Sequence, residues 1–269
     1  MVNTAIVDNV NDMYVTMCKD LVTYGSKVND TLELNNYMIT VRDVSQCVIN
    51  VRNVSLNYMA AELLWYLSGR NDVEFISRYA SLWKRISDDG KTNNSAYGYI
   101  LKKKHGFDQI EKMVELLKKD PYSRRAVMNI NVPNENVIET KDEMCTICLN
   151  FQLRDNKLNC SVLMRSNDIF TGTVYDVTYF ILLQKYIADK LNVSCGTYTH
   201  IAFSLHAYDR HIEKIKNIAF NTTYDDRLVN IDFEHIFNKF DAAMTDVENN
   251  KMSPEEAFNY YDIFKDVKL

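Results

Sequence analysis

The apolar positions of the chain fall into alternating helical and extended rhythms. Between residues 7 and 24, Val7, Val10, Met13, Tyr14, Met17, Cys18 and Leu21 recur at spacings of three and four, which predicts one apolar stripe on a helix. Residues 32–52 are rich in β-branched side chains and read as extended. A buried helix is expected over 55–67 through Leu56, Met59, Ala60, Leu63, Leu64, Tyr66 and Leu67, with Ser68-Gly69 as its stop. Lys102, Lys103 and Lys104 read as a solvated face, and an amphipathic helix over 108–119 closes at Asp120-Pro121. Strand patterns occupy 125–132 and 145–162, the second folded at a turn on Asp155-Asn156-Lys157. Residues 175–191 form the most apolar helix, 198–207 return to strand, and 232–249 and 254–265 read as helical.

Strands that follow one another between 125 and 162, among irregularly placed helices, point to an α+β class rather than a doubly wound sheet. At about 150 residues per domain the 269 residues correspond to roughly 1.8 domains. With no repeat and no linker, the chain reads as a single domain over 1–269, with 230–269 as a helical extension. Only 7 Gly and 3 Pro argue against low-complexity or collagen-like segments. The net charge of −5 argues against a protein that coats nucleic acid. No apolar run could span a bilayer, and Asp8 and Asp12 interrupt the place where a signal peptide needs an apolar core. Six cysteines in such a chain suggest free thiols in a reducing, cytoplasmic setting.

The scattered glycines spell neither a Rossmann nor a P-loop motif, so a nucleotide would have to be held by side chains. Cys145 and Cys148 have the spacing of a redox or zinc half-site. On a strand, however, positions three apart face opposite ways, and no second pair exists, so no metal is expected. A nucleophilic thiol needs nearby positive charge, and Arg124, Arg125 and Arg165 are the candidates. Adjacent arginines cannot share one face of a strand, which favours a loop or a subunit boundary for Arg124 and Arg125. Taken alone, the segment from Arg165 to Asp168 reads as a loop before a capped helix, and His206 and Tyr208 read as packing residues on one strand face.

Taken together, these segments resemble the thymidylate synthase family from about Arg52 to His211. The motif Glu62-Leu-Leu-Trp-Tyr-Leu, then Trp83, the pair Tyr97-Gly98, and Asp120-Pro-Tyr-Ser-Arg124-Arg125 match family motifs in order. Cys145 stands at the nucleophile's position, 20 residues before Arg165-Ser-Asn-Asp168. Asp176 stands 30 residues before His206, again the family's separation. The departures point to the deoxycytidylate hydroxymethylase branch. Asp176 replaces the synthase's Asn, and a carboxylate accepts from the N4 amino group of cytosine. Thr146 follows the nucleophile where synthases have His, Asn94-Ser-Ala precedes Tyr97, Ile86 replaces a second Trp, and Asn167 and Ser204 also depart from the synthase pattern. The stretch from Gly25 to Thr31 is shorter than the family's phosphate loop and offers only Lys27 as a point charge.

The resemblance implies a mixed, twisted sheet covered by helices on one face, with sheets packed back to back in a homodimer. It also implies that dCMP and 5,10-methylenetetrahydrofolate are converted to 5-hydroxymethyl-dCMP and tetrahydrofolate. Cys145 would add to C6, Asp176 would read the base and hold a proton at N3, and Glu62 and Tyr97 would serve proton transfer. Arg165, Ser166, Asn167 and Lys27 would bind the nucleotide, joined by Arg124 and Arg125 from a partner subunit. His206 and Tyr208 would hold the sugar. Asp168, Trp83 and Gly172 would receive the folate. The same resemblance suggests a bacteriophage enzyme working in the host cytoplasm. Rival readings are a thymidylate synthase with an unusual Asp, a cytidylate methylase that keeps the hydride step, and a catalytically silent binding protein.

Overall fold

The computed structural model describes residues 3–133, 136–222, 239, 242–243, 245–247, 249 and 251–261. Contacts group the chain into two compact units. The first comprises Met1–Val54, Met113–Met128 and Cys145–Val229, and the second Ser55–Lys112, Asn129–Met144 and Asn230–Leu269.

The first unit is built on a mixed sheet. Its strands are β1 (Asn3–Val7), β2 (Ser26–Val28), β3 (Thr31–Val41), β4 (Val127–Asn129), β5 (Thr146–Arg154), β6 (Lys157–Met164), β7 (Asn167–Asp168) and β8 (Ser194–Tyr208). The main order is β1-β3-β8-β6-β5-β4, with β2 added to β3 and β7 to β8. β3 and β8 run antiparallel, whereas β6 and β7 run parallel to β8. The β5–β6 hairpin turns on Asp155 and Asn156, whose φ values of 50° and 57° suit a tight two-residue turn.

Helix α1 (Val10–Tyr24) is opened by Asn9, whose side chain accepts from the backbone N–H groups of Asn11 and Asp12. Its stripe of Val10, Met13, Tyr14, Met17, Cys18 and Leu21 is wholly buried; each such side chain contributes about 1.5–3 kcal/mol. The stripe expected to begin at Val7 starts three residues later, because Val7 closes β1. Extended structure expected through 52 ends at Val41, and the expected strand 125–132 narrows to β4. The apolar helix α7 (Thr173–Lys190) packs on β6 and β8. Its one buried amide, Gln184, donates through Nε2 to the carbonyls of Leu158 and Thr197, while its Oε1 is buried with no partner among the described residues. Helix α8 (Ile212–Asn221) packs on α1.

One irregularity in this sheet positions the site. β3 and β8 stay in register throughout, but Asn36 adopts φ 55° and the pairing lapses there. Along β8 the buried positions are Gly196, Tyr198, His200 and Ala202 before the lapse, and Leu205 and Ala207 after it. The interior face therefore changes parity, and two even-numbered histidines of one strand receive different surroundings. His200 lies in the core while His206 is half-buried.

The second unit carries α2 (Leu56–Leu67), α3 (Val73–Ile76), α4 (Leu82–Ile86), α5 (Tyr97–Tyr99) and, late in the chain, α9 (Pro254–Tyr261), which packs on α2. Between the units' stretches, α6 (Gln109–Lys119) matches the expected amphipathic helix. Most of the helix expected over 232–249 lies outside the described residues, as do the last positions of 254–265. In the lysine run, Lys103 and Lys104 are exposed, as a solvated face requires, and Lys102 is half-buried. Lys102 Nζ donates to the Leu67 carbonyl at 2.8 Å and Lys103 Nζ to that of Ser68 at 2.9 Å. Two ammonium groups thus satisfy the carbonyls left at the end of α2, where the helix dipole favours positive charge. Gly98 has a steric reason to be glycine: a Cβ there would lie 1.8 Å from the Tyr66 carbonyl oxygen.

Candidate active site

In the first unit, Cys145 sits immediately before β5, half-buried. Its carbonyl accepts from the Arg165 backbone N–H at 2.8 Å. That bond draws the Arg165 side chain alongside, with Nη2 at 3.9 Å from Cys145 Sγ. A guanidinium beside a sulfur favours the thiolate, the form that attacks carbon. All six cysteines are free thiols. Burial pushes the Cys148 thiol up, away from thiolate chemistry. Among the described residues, no group of three or more His, Cys, Asp and Glu is arranged to hold a metal ion.

Just beyond Arg165, β7 is pinned to β8, with Asn167 opposite Leu205 and Asp168 opposite His206. This short parallel bridge aims two consecutive side chains in opposite directions. Asn167 goes inward and is 1% exposed. Asp168 closes a turn by accepting from the N–H groups of Phe170 at 2.9 Å and Thr171 at 3.1 Å, and from the Thr171 hydroxyl. Arg52 braces that turn, donating to the Phe170 carbonyl at 2.7 Å with its guanidinium over the Phe170 ring.

Asp176 lies in the first turn of α7, facing Gly172. A Cβ on Gly172 would come within 3.1 Å of Asp176 Oδ2, so the glycine leaves room for the carboxyl group. Enclosure by protein, with the Asp168 charge adding to it, pushes Asp176 up to about 7, although the residue keeps some contact with solvent. Near neutral pH this group is divided between acid and base, as proton transfer requires. Its protein partner is Asn167, whose Nδ2 donates to Oδ2 across 3.5 Å. Behind Asn167 stand Thr173 and His200, both in contact with Asn167 Oδ1, and Tyr198 beyond His200.

His206 and Tyr208 share one face of β8, their rings edge to face with centroids 5.7 Å apart. His206 Nδ1 is buried with no hydrogen-bond partner among the described residues, so a ligand hydroxyl would satisfy it. Lys27 is engaged by Asp209, both side chains being more than half exposed; a phosphate would have to share it. Arg124 and Arg125 lie exposed in the loop before β4, as their adjacency led one to expect. Ser166 is half-buried between Arg165 and Asn167.

In the second unit, Glu62 lies on α2 and is 7% exposed. Tyr58, one turn earlier, donates to Glu62 Oε1, and Trp83 Nε1 donates to the Tyr58 oxygen at 3.0 Å. The carboxylate is thus held by a two-step relay ending on the indole. Trp83 also packs edge-on against Trp65, and Tyr97 stacks on Tyr66 at 5.4 Å. The loop leading to Tyr97 is clipped by buried Asp142, which accepts from Asn93 Nδ2 and from the backbone and hydroxyl of Ser95.

The profile of the thymidylate synthase family matches residues 12–260. The chain belongs to the thymidylate synthase family. It is 34% identical over 208 residues to a deoxyuridylate hydroxymethyltransferase of Bacillus phage SP01, covering 70% of this chain and 54% of that protein. A deoxyuridylate hydroxymethyltransferase of Pseudomonas phage M6 is 32% identical over 161 residues, covering 59% of this chain and 46% of the relative. The chain therefore spans about half the length of these two relatives. In fold it resembles thermostable thymidylate synthase A from Bacillus subtilis, with a TM-score of 0.68 at 23% identity over 80% of this chain and 85% of that one. The α+β class and mixed sheet expected from the sequence agree with that fold.

Several site residues carry no signal in the linear pattern. Tyr58 is visible only as the i−4 neighbour of Glu62, a helical spacing that could have raised it. Asp142 and His200 act across 47 and 33 residues respectively, and periodicity says nothing of either.

Proposed function

We propose that this thymidylate synthase family member transfers a one-carbon unit from 5,10-methylenetetrahydrofolate to C5 of dCMP, yielding 5-hydroxymethyl-dCMP and tetrahydrofolate. Asp176 carries the choice of base. Cytosine offers an amino donor at N4 and a basic acceptor at N3, and a carboxyl group balanced near pH 7 can accept from the first while handing a proton to the second. Uracil presents O4 and N3–H, and its O4 is a far weaker base.

The pyrimidine C5 becomes nucleophilic when Cys145 sulfur bonds to C6. Arg165 places its guanidinium 3.9 Å from that sulfur. The electron density pushed toward N3 is met by the Asp176 proton. Folate supplies carbon at the oxidation level of formaldehyde. After C5–C bond formation, loss of the C5 proton and cleavage of the carbon–nitrogen bond to the folate release tetrahydrofolate and leave an exocyclic methylene on the pyrimidine; this takes up water, and elimination of Cys145 restores the ring. Glu62, held by Tyr58, is the group to orient that water and take its proton, with Tyr97 assisting. Arg165 and Ser166, with Arg124 and Arg125 of a partner copy, hold the nucleotide, and Asn167, 1% exposed, acts on it through Asp176; His206 offers its Nδ1 to the sugar. For the folate, Asp168 keeps lone pairs beyond those used in its turn, and Trp83 and Gly172 supply apolar and backbone surface. A homodimer in the cytoplasm of a phage-infected host completes the reading, and no membrane or nucleic-acid partner is needed.

Hydroxymethylation of dUMP is the second reading, favoured by the names of the two phage relatives. Mass spectrometry of the products from dCMP and from dUMP with methylenetetrahydrofolate separates them, while dihydrofolate absorbance reports a hydride step. A hydroxymethyl product from dCMP is expected; a product from dUMP alone overturns the choice of base.

A further inference from the structure

We infer that His200 and Tyr198 are positioning residues that, acting through Asn167, order the donor and acceptor of the Asp176 carboxyl group and so sharpen base selection. This rests on Asp176 being the base reader. The contacts form a continuous chain. Tyr198 Oη lies 2.9 Å from His200 Nδ1, His200 Nε2 lies 3.2 Å from Asn167 Oδ1, and Asn167 Nδ2 lies 3.5 Å from Asp176 Oδ2. Thr173 adds a second donor to Asn167 Oδ1 at 2.7 Å. Tyr198, His200 and Thr173 are fully buried and Asn167 is 1% exposed, so water does not replace these bonds.

The direction of each bond follows from chemistry. Burial favours the protonated phenol of Tyr198 and the neutral ring of His200, which it pulls down to about 4. The Tyr198 O–H therefore donates to Nδ1, and the single ring proton sits on Nε2. That N–H and the Thr173 hydroxyl both donate to Asn167, which fixes its oxygen toward them and its amino group toward Met164 and Asp176. A donor thus always points at Asp176 Oδ2, leaving the acid proton on Oδ1. The 3.5 Å link is long, as catalytic hydrogen bonds often are before a substrate closes on them.

A carboxyl group whose proton can sit on either oxygen offers donor–acceptor and acceptor–donor edges alike. The Watson–Crick edges of cytosine and uracil present opposite orders, so such a group tolerates both. With the order fixed, accommodating the wrong base would put two donors face to face at Oδ2, a repulsive element as useful to specificity as any attraction.

The test is calorimetric titration of the full chain with dCMP and with dUMP, comparing wild type, Tyr198→Phe, His200→Leu and His200→Gln. Gln can keep a side-chain N–H facing Asn167. The wild type is expected to prefer dCMP. Preference should fall about fivefold in Tyr198→Phe, about tenfold or more in His200→Leu, and less than about threefold in His200→Gln, on the scale of one or two buried hydrogen bonds. A purely structural role would weaken both nucleotides equally and leave the ratio unchanged, which overturns the inference. So does a Gln variant as unselective as Leu. If His200→Leu does not fold, Tyr198→Phe decides. A wild type with no preference for dCMP removes the base reading itself, a result distinct from a wild-type preference that survives every variant.

Discussion

Replacing Asp176 by Asn tests the proposed chemistry most directly, because it keeps the shape and removes only the transferable proton. Asn can still accept from N4 and donate a hydrogen bond toward N3, so dCMP binding should weaken by less than about tenfold. What it cannot do is release a proton as charge builds on N3, and positioned proton transfer contributes about 10²–10⁴-fold. The kcat for dCMP should fall by that factor. Turnover of dUMP needs no proton at N3, so the ratio of kcat/KM values should drop at least about a hundredfold. The pH profile supplies a second readout. With Asp176 raised to about 7, the acid form predominates below that pH, and kcat/KM for dCMP should decline above it; the Asn variant should lose this limb. Stability follows with a definite sign. Between the usual carboxylate range and pH 7 the folded chain holds a proton that the unfolded chain has released. Stability therefore falls as pH rises through that window, by at most about 4 kcal/mol. Asp176→Asn should consequently raise the Tm at pH 8 and change it little at pH 4. Steady-state kinetics with both nucleotides and calorimetric melts at both pH values provide the measurements. Undiminished dCMP turnover in the variant, or equal stability changes at the two pH values, would refute the assignment of a poised acid at this position.

Cys145→Ala should lower turnover by about 10³-fold or more while dCMP binding, measured by calorimetry, stays within about tenfold; retained turnover would exclude a sulfur adduct. Gly98→Ala should destabilise the chain by about 2 kcal/mol or more, read as urea midpoint, because its new methyl collides with the Tyr66 carbonyl. Lys102→Met should lower stability by about 0.5–1 kcal/mol in the same assay by uncapping the end of α2, whereas Lys104→Met, at an exposed lysine, should do almost nothing.

Those contrasts mark where sequence reasoning reaches its limit. Periodicity located α1, α7 and the β5–β6 hairpin because each buries a regular stripe or alternation, and a burial pattern is what such a period encodes. In the segment 42–52, read as extended, the β-branched residues are buried without forming a strand, and propensity cannot distinguish the two. The lysine run is solvated at Lys103 and Lys104 as expected, but the bonds it makes are not legible in the pattern. Its ammonium groups are drawn to carbonyls 35 residues away, which charge counting does not see.

The site shows the same division more sharply. Cys145, Arg165, Asp168, Asp176 and His206 are legible in the sequence as candidates, because their chemistry is written in residue type and their order follows a family's spacing. Their surroundings are not, since an ionisation state belongs to an environment. Asp176 becomes a poised acid because it is enclosed and faces Asp168, and His200 becomes a neutral donor because a change of parity on β8 sends it inward. Had β3 and β8 kept one parity throughout, the interior face of β8 would hold either both even-numbered histidines or neither. One would then lose its exposure to a ligand, or the other its place behind Asn167. The lapse at Asn36, a residue that tolerates positive φ better than most, therefore lets a single strand bury His200 and leave His206 half-buried. A substitution such as Asn36→Val, disfavoured in that conformation, should disturb Asn167 and His206 together although it touches neither reactant.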